Sequence, residues 1–312
     1  MTRKAVLFTG QGAQYVGMGR DVVEASPQAA EVFRQAGEIL GWDVAEVCFQ
    51  GPAERLEQTD IQQPAIFTTS VAIWEAVRGG RALDPGVVAM AGLSLGEYTA
   101  LYAAGSLSFQ DALRLVQRRG QLMQAAAEAN PGGMVSVMGL EVEQVETVCR
   151  QASDRGPIQP ANFNCPGQVV VSGSRAACEA VPALVEAAGG RAVPLKVAGA
   201  FHSPLMAPAA EGLAAMLASV SLTPPAVPVI ANVNCQPHRD ADTIRRWLAE
   251  QLTSPVRWQA SMERLLAEGI QEFVEIGPGR ILSGLLKKID RKVPVVNIGT
   301  AEALARPVGL TV

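Results

Sequence analysis

The tightest constraint on this chain is an abrupt change of period between residues 87 and 104. Residues 87–91 (VVAMA) form an unbroken apolar run, long enough for a buried strand and too short for a helix. The run passes directly into Gly92-Leu93-Ser94-Leu95-Gly96, and residues 97–104 then follow a helical pattern. Strand, glycine-bounded turn and helix in immediate succession build α/β folds. A G-x-S-x-G sequence at that junction adds chemistry. A serine in such a sharp turn presents its hydroxyl to solvent, and the flanking glycines let neighbouring backbone approach closely. The start of the following helix supplies N–H groups and partial positive charge where an oxyanion would form. Ser94 is the candidate nucleophile.

The rest of the chain extends the same reading. A short strand over 5–9 enters Gly10-Gln11-Gly12, and helices are expected over 27–40, 61–77 and 111–127. The character changes after Asn130-Pro131-Gly132-Gly133. A strand over 134–139, a helix over 141–151, strands over 161–164 and 168–173 joined by Cys165-Pro166-Gly167, a helix over 174–188 and a strand over 191–197 follow. That β-α-β-β-α-β order is the ferredoxin-like pattern. It predicts a small subdomain at 131–198, inserted into a larger α/β unit made of 1–130 and 199–312. The larger unit resumes with strands over 227–233, 272–276 and 293–298, and helices over 243–252, 261–268 and 281–289.

Composition excludes several classes. The net charge is −4 and no basic run occurs, so no nucleic-acid partner is expected. The opening MTRKAVLFTG has too short an apolar stretch for a signal peptide, and no segment reaches the roughly 18–20 apolar residues of a membrane span. A cytoplasmic monomer without a membrane partner is the expectation. Five cysteines, at 48, 149, 165, 178 and 235, are scattered without a C-x-x-C pair. They are expected to be buried small hydrophobes, not a disulfide framework or zinc site. Two histidines are too few for an imidazole metal cluster, and no metal is expected.

A serine nucleophile needs a base. His238 lies in Gln236-Pro237-His238-Arg239-Asp240, which reads as a polar loop. His202, in Gly199-Ala200-Phe201-His202-Ser203-Pro204, has apolar flanks and is the better candidate. Arg119 stands out on its helix because residues 115, 116, 122 and 123 (Leu, Val, Leu and Met) are all apolar. A guanidinium on an inward stripe must find an anion or hydrogen-bond acceptors. Helix spacing leaves two partners open, a substrate carboxylate held bidentately or a buried Asp or Glu. Gly10-Gln11-Gly12 is not a dinucleotide loop, because that spacing would need glycine at Tyr15. It reads as a loop that brings backbone N–H groups toward a substrate oxygen.

With these residues located, the chain resembles the malonyl-CoA:acyl carrier protein transacylases of fatty acid synthesis, and is similar to polyketide synthase acyltransferase domains. The matching stretches run nearly end to end. They include Phe8 to Gln14 (FTGQGAQ), Gln63-Pro64-Ala65, Gly92 to Tyr98 (GLSLGEY), Arg119-Gly120, Asn162-Phe163-Asn164, Gly199 to Met206 (GAFHSPLM), Pro255-Val256 with Trp258, and Glu275 to Gly279 (EIGPG). The resemblance implies a large hydrolase-like α/β subdomain, a small ferredoxin-like one and a site in the cleft between them. It implies Ser94 as the acylated residue, His202 as its base and Arg119 as the ligand of the malonyl carboxylate. It further implies an oxyanion hole from the N–H groups of Gln11 and Leu95, and a backbone carbonyl at Gln251 that orients His202. Malonyl-CoA is then the substrate and acyl carrier protein, which bears the phosphopantetheine, the partner; no cofactor is bound by this chain. Ala200-Phe201-His202 resembles the malonyl type, and Phe201 would crowd an α-methyl group. One departure stands out: the family's usual histidine before the nucleophile is Leu93 here. The rival readings are a stand-alone acyltransferase serving a polyketide synthase and a serine thioesterase or esterase. Against the latter stand the inward Arg119, the inserted subdomain and the lack of a late Asp-His pair.

Overall fold

The computed structural model describes residues 1–305 and 309–311. Its centre is a five-stranded parallel sheet in the order β7-β2-β1-β8-β9, formed by β1 (Lys4–Phe8), β2 (Val87–Gly92), β7 (Val229–Ile230), β8 (Glu272–Ile276) and β9 (Val295–Ile298). All five residues of β1 are buried. That is expected of a central strand covered by helices on both faces, which reads as a continuous apolar run instead of alternating. The second sheet is antiparallel, in the order β4-β5-β3-β6, from β3 (Gly132–Met138), β4 (Ile158–Cys165), β5 (Gln168–Ser174) and β6 (Arg191–Pro194). Helices Val142–Ala152 and Arg175–Ala187 cover one face of it through Val145, Val148, Val181 and Val185. The α/β class and the βαββαβ order are as the sequence indicated.

Helix Thr59–Arg78 is buried nearly all round from Gln62 to Trp74, so it serves as a core element and not an amphipathic cover. It meets β1 through the edge-to-face pair Phe8–Trp74, with centroids 5.7 Å apart. Helix Phe109–Ala129 lies close against it at Gly120, where an added Cβ would sit 2.8 Å from the Thr59 carbonyl oxygen. That close approach fixes the depth of the neighbouring Arg119.

Three expectations are corrected. The apolar run at 227–233 pairs as a strand only over Val229–Ile230. Beyond it the chain folds into a turn closed by Cys235 N–H donating to Ala231 O at 3.0 Å and Ala231 N–H to Gln236 O at 2.9 Å. The last strand of the small sheet spans Arg191–Pro194 and stops short of 197. The His238 segment is not a polar loop at the imidazole: that side chain is buried, with 3% of the residue exposed. Four of the cysteines are buried and free, while Cys235 is half-buried. Among the described residues no helix is long and apolar enough to cross a membrane.

Candidate active site

The site is built at the carboxyl ends of β1 and β2, where parallel sheets leave their loops and helix starts. Ser94 follows β2 with φ 53°, in the left-handed region that a non-glycine residue adopts only when its surroundings enforce it. The enforcement is visible on both sides. A Cβ on Gly92 would lie 1.9 Å from the carbonyl carbon of Gly96, and a Cβ on Gly96 would lie 2.2 Å from the Phe8 carbonyl oxygen. Only glycine fits either position, so β1, the turn and helix Gly96–Ala103 pack backbone to backbone. The turn is also tied down by Asn232, whose Oδ1 accepts the Ser94 N–H at 2.6 Å and whose Nδ2 donates to Gly92 O at 2.8 Å.

His202, with φ 56°, is the second strained residue. Its Nε2 is 2.9 Å from Ser94 Oγ, and its Nδ1 is 2.7 Å from the main-chain carbonyl of Gln251. A carbonyl only accepts, so the proton sits on Nδ1 and Nε2 is left as the acceptor facing the serine. Burial pulls the imidazole pKa down to about 4; the Arg119 charge acts the same way, and the carbonyls of Gln251 and Ser254 oppose both. The ring is therefore neutral near pH 7, as a general base requires. Gln251 caps helix Ala241–Glu250, where carbonyls lack helical partners.

Arg119 is 1% exposed. It donates to Gln63 Oε1 at 2.7 Å, Ser94 Oγ at 2.9 Å and Gln251 Oε1 at 3.0 Å. Its guanidinium also lies over the Tyr98 ring, 5.5 Å from the centroid. Burial works against its charge, and Tyr98 and Glu97 favour it. No direct ion pair to Arg119 occurs among the described residues, so the buried-acid alternative is not what the fold provides. Its direct partners are neutral oxygens, which leaves the guanidinium open to a direct ion pair with a substrate carboxylate.

Ser94 and His202 line a cavity of about 210 Å³, which Arg119 meets through its hydrogen bond to Ser94 Oγ. The large sheet side contributes Gln11, Leu93, Ser94, Ile281 and Leu285, and the small sheet side Met134, Asn162, Asn164, Gln168 and Val170. Met123, Leu195, Val197, Phe201 and His202 also line it. Gln11 and Ser94 share the cavity, and Leu95 follows the nucleophile as the residue before helix Gly96–Ala103. Leu93 lines the cavity with an apolar side chain.

The acyl transferase domain family matches residues 6–301. The chain belongs to the malonyl CoA-acyl carrier protein transacylase family of acyl transferases. Within that family, the transacylase of Bacillus subtilis is 42% identical over 306 residues, covering 97% of this chain and 96% of its own. That of Escherichia coli K12 is 42% identical over 311 residues, covering 98% and 97%. Among solved structures, the Coxiella burnetii transacylase superposes with a TM-score of 0.94 at 38% identity, covering 97% of this chain and 96% of that one. A malonyl-transacylase in complex with its type II PKS acyl-carrier protein has the same TM-score and identity, covering 97% and 98%.

Sequence reasoning missed four polar residues of the site. Asn232 interrupts an apolar run, Gln63 opens the Gln63-Pro64-Ala65 motif, Glu97 follows the elbow in an otherwise apolar helix start, and His238 is buried on Glu97. A polar residue inside an apolar stretch was the available signal for Asn232 and Glu97.

Proposed function

We propose that this acyltransferase moves a malonyl group from malonyl-CoA to the phosphopantetheine thiol of acyl carrier protein, through an ester on Ser94, in fatty acid biosynthesis. The observation that carries the reading is the position of Ser94 Oγ, 2.9 Å from both His202 Nε2 and Arg119 Nη2. The serine oxygen attacks the thioester carbonyl while its proton passes to His202 Nε2. The carbonyl oxygen takes the developing charge and is received by the N–H groups of Gln11 and Leu95. The C–S bond then breaks, and coenzyme A leaves as the thiol with the proton from His202. In the second half-reaction the carrier thiol gives its proton to His202 and its sulfur attacks the ester. The Ser94 oxygen departs and recovers the proton. The chemistry is ping-pong, with His202 as base and acid in turn.

Arg119 holds the free carboxylate of the malonyl group, which distinguishes this substrate from a plain acyl thioester. The Gln251 carbonyl keeps the His202 proton on Nδ1. Residues 1–130 and 199–312 act as the large subdomain, and 131–198 as the small one that walls the cleft and limits access of water to the ester. The cytoplasm is the compartment of this reading. The names of relatives that match end to end support the same substrates. A second reading, a stand-alone acyltransferase for a polyketide synthase, is favoured by the similarity to the transacylase bound to its PKS carrier protein.

Intact-mass spectrometry after brief incubation with malonyl-, methylmalonyl- or acetyl-CoA tests the reading, with and without holo acyl carrier protein. The expected result is a malonyl adduct on the Ser94 peptide that disappears onto the carrier. No adduct, or one that decays equally fast without carrier, overturns it in favour of a non-catalytic or hydrolytic role.

A further inference from the structure

Beneath the elbow lies a carboxylate that the acyl-transfer chemistry does not use. Glu97 has no exposed surface, and its carboxylate is hydrogen-bonded to the His238 imidazole. A buried carboxylate must be hydrogen-bonded on nearly every lone pair to persist. Its Oε1 is 2.7 Å from His238 Nε2. Its Oε2 accepts the Asn232 N–H at 3.0 Å and the Gln251 side-chain amide at 2.7 Å.

Both of its Oε2 partners reach the reacting residues. Asn232 holds the Ser94 N–H and the Gly92 carbonyl with its side chain. The Gln251 amide also donates to the Ser94 carbonyl at 3.1 Å, its Oε1 accepts from Arg119 at 3.0 Å, and its main-chain carbonyl accepts from His202. Glu97 thus sits one residue away from Ser94, His202 and Arg119 at once. His238 is the one member of this set that touches none of them. Its Nδ1 has no hydrogen-bond partner, and a carboxylate only accepts, so the Nε2–H is the donor to Glu97. Trp247 packs beside the ring at 5.2 Å, and the main-chain N–H of His238 donates to Val229 O at 2.8 Å.

We propose that His238 is a positioning residue for acyl transfer: its Nε2–H fixes the Glu97 carboxylate, from which Asn232 sets the Ser94 elbow and Gln251 sets His202. This rests on Ser94 and His202 being the reacting pair. Loss of the donor lets Glu97 turn toward its two remaining partners, and the elbow and the imidazole shift relative to each other. An error of about an ångström between nucleophile and base costs roughly a hundredfold, and outer-shell partners are worth about tenfold to a hundredfold. His238 lines no part of the cavity, and Gln63 and Ser94 hold Arg119 independently of Gln251, so the cost falls mainly on the rate and not on binding of malonyl-CoA.

The test compares His238→Gln, His238→Asn and His238→Met in the full chain, measuring the acylation rate by rapid-quench intact mass, KM for malonyl-CoA and melting temperature. Gln carries its amide nitrogen at the height of Nε2, whereas Asn carries it at the height of Nδ1 and cannot reach Glu97. The expected result is a rate within about threefold of the parent for Gln, a loss of about tenfold or more for Asn and Met, and KM unchanged within about twofold throughout. Should the Met protein not fold, the contrast of Gln with Asn decides. Three variants at the parent rate, Gln as slow as Asn, or a loss confined to KM or melting temperature overturns the inference while leaving the transfer reaction standing. A parent chain that forms no malonyl-Ser94 adduct removes the reaction itself, and the inference with it.

Discussion

Arg119 Nη2 and Ser94 Oγ are 2.9 Å apart, so a buried cation shares a hydrogen bond with the candidate nucleophile, which lines the cavity. A carboxylate two carbons from the carbonyl under attack would meet that same guanidinium. Arg119→Ala is expected to lower kcat/KM for malonyl-CoA by about two orders of magnitude, about 3 kcal/mol. Acetyl-CoA, which has no carboxylate to bind, should lose far less. Acylation rates with the two thioesters check this; equal losses would make Arg119 a structural residue. Arg119→Lys should not restore malonyl use, because an ammonium cannot reach Gln63, Ser94 and Gln251 with one planar fork.

Ser94→Ala removes the oxygen that bonds to His202 and Arg119. The protein should fold and show no mass increase with malonyl-CoA, since an alanine leaves nothing to esterify. A stable malonyl adduct on that variant would move the nucleophile to another side chain.

His202 titrates at about 4 because burial disfavours its charged form. The base is thus available over the neutral range, and the acylation rate should fall only as pH approaches 4. The unfolded chain binds this proton near pH 6.5 and the folded chain near 4, so stability is fully present above 6.5 and lost as pH drops between them. Over that window the loss is about 3 kcal/mol. Urea titrations at pH 7 and 4.5 should show it in the parent, and His202→Asn should show less.

Gly92 and Gly139 separate steric exclusion from backbone strain. Gly92 has no room for a Cβ, whereas Gly139 has φ +79° and nothing within 4 Å. Gly139→Ala should cost only the left-handed penalty, about 1–2 kcal/mol, and leave acylation intact. Gly92→Ala should lower the melting temperature further and abolish acylation, because the turn that carries Ser94 must move. Thermal melts and intact mass together distinguish the two.

Much of this arrangement was legible from residue order because local period and global fold agree. Pro27–Leu40 and Ile281–Ile289 have the bounds read from the sequence, set by Ser26 accepting from Ala29 N–H in the first and by the Gly277-Pro278-Gly279 turn before the second. Helix Val44–Gln50 escaped notice because it is short and its start depends on one cap, Asp43 accepting from Glu46 N–H at 2.8 Å. The segment 227–233 misled because apolar content does not reveal whether a neighbouring strand is within reach, and only Val229–Ile230 find one. Ser94, His202 and Arg119 were readable because each is a chemical exception in its setting. Asn232, Glu97 and His238 come together across more than 130 residues, and no short window of sequence contains that meeting.

The partner that orients His202 is a main-chain carbonyl, and this changes what substitution can report. Every amino acid at position 251 carries that oxygen, so scanning the position by side chain interrogates Arg119, Glu97 and the Ser94 carbonyl while leaving the imidazole's anchor in place. The third member of the proposed catalytic set is encoded by the path of the backbone and not by a codon. It is robust to point mutation at its own position, and vulnerable instead to any distant change that rotates the end of helix Ala241–Glu250.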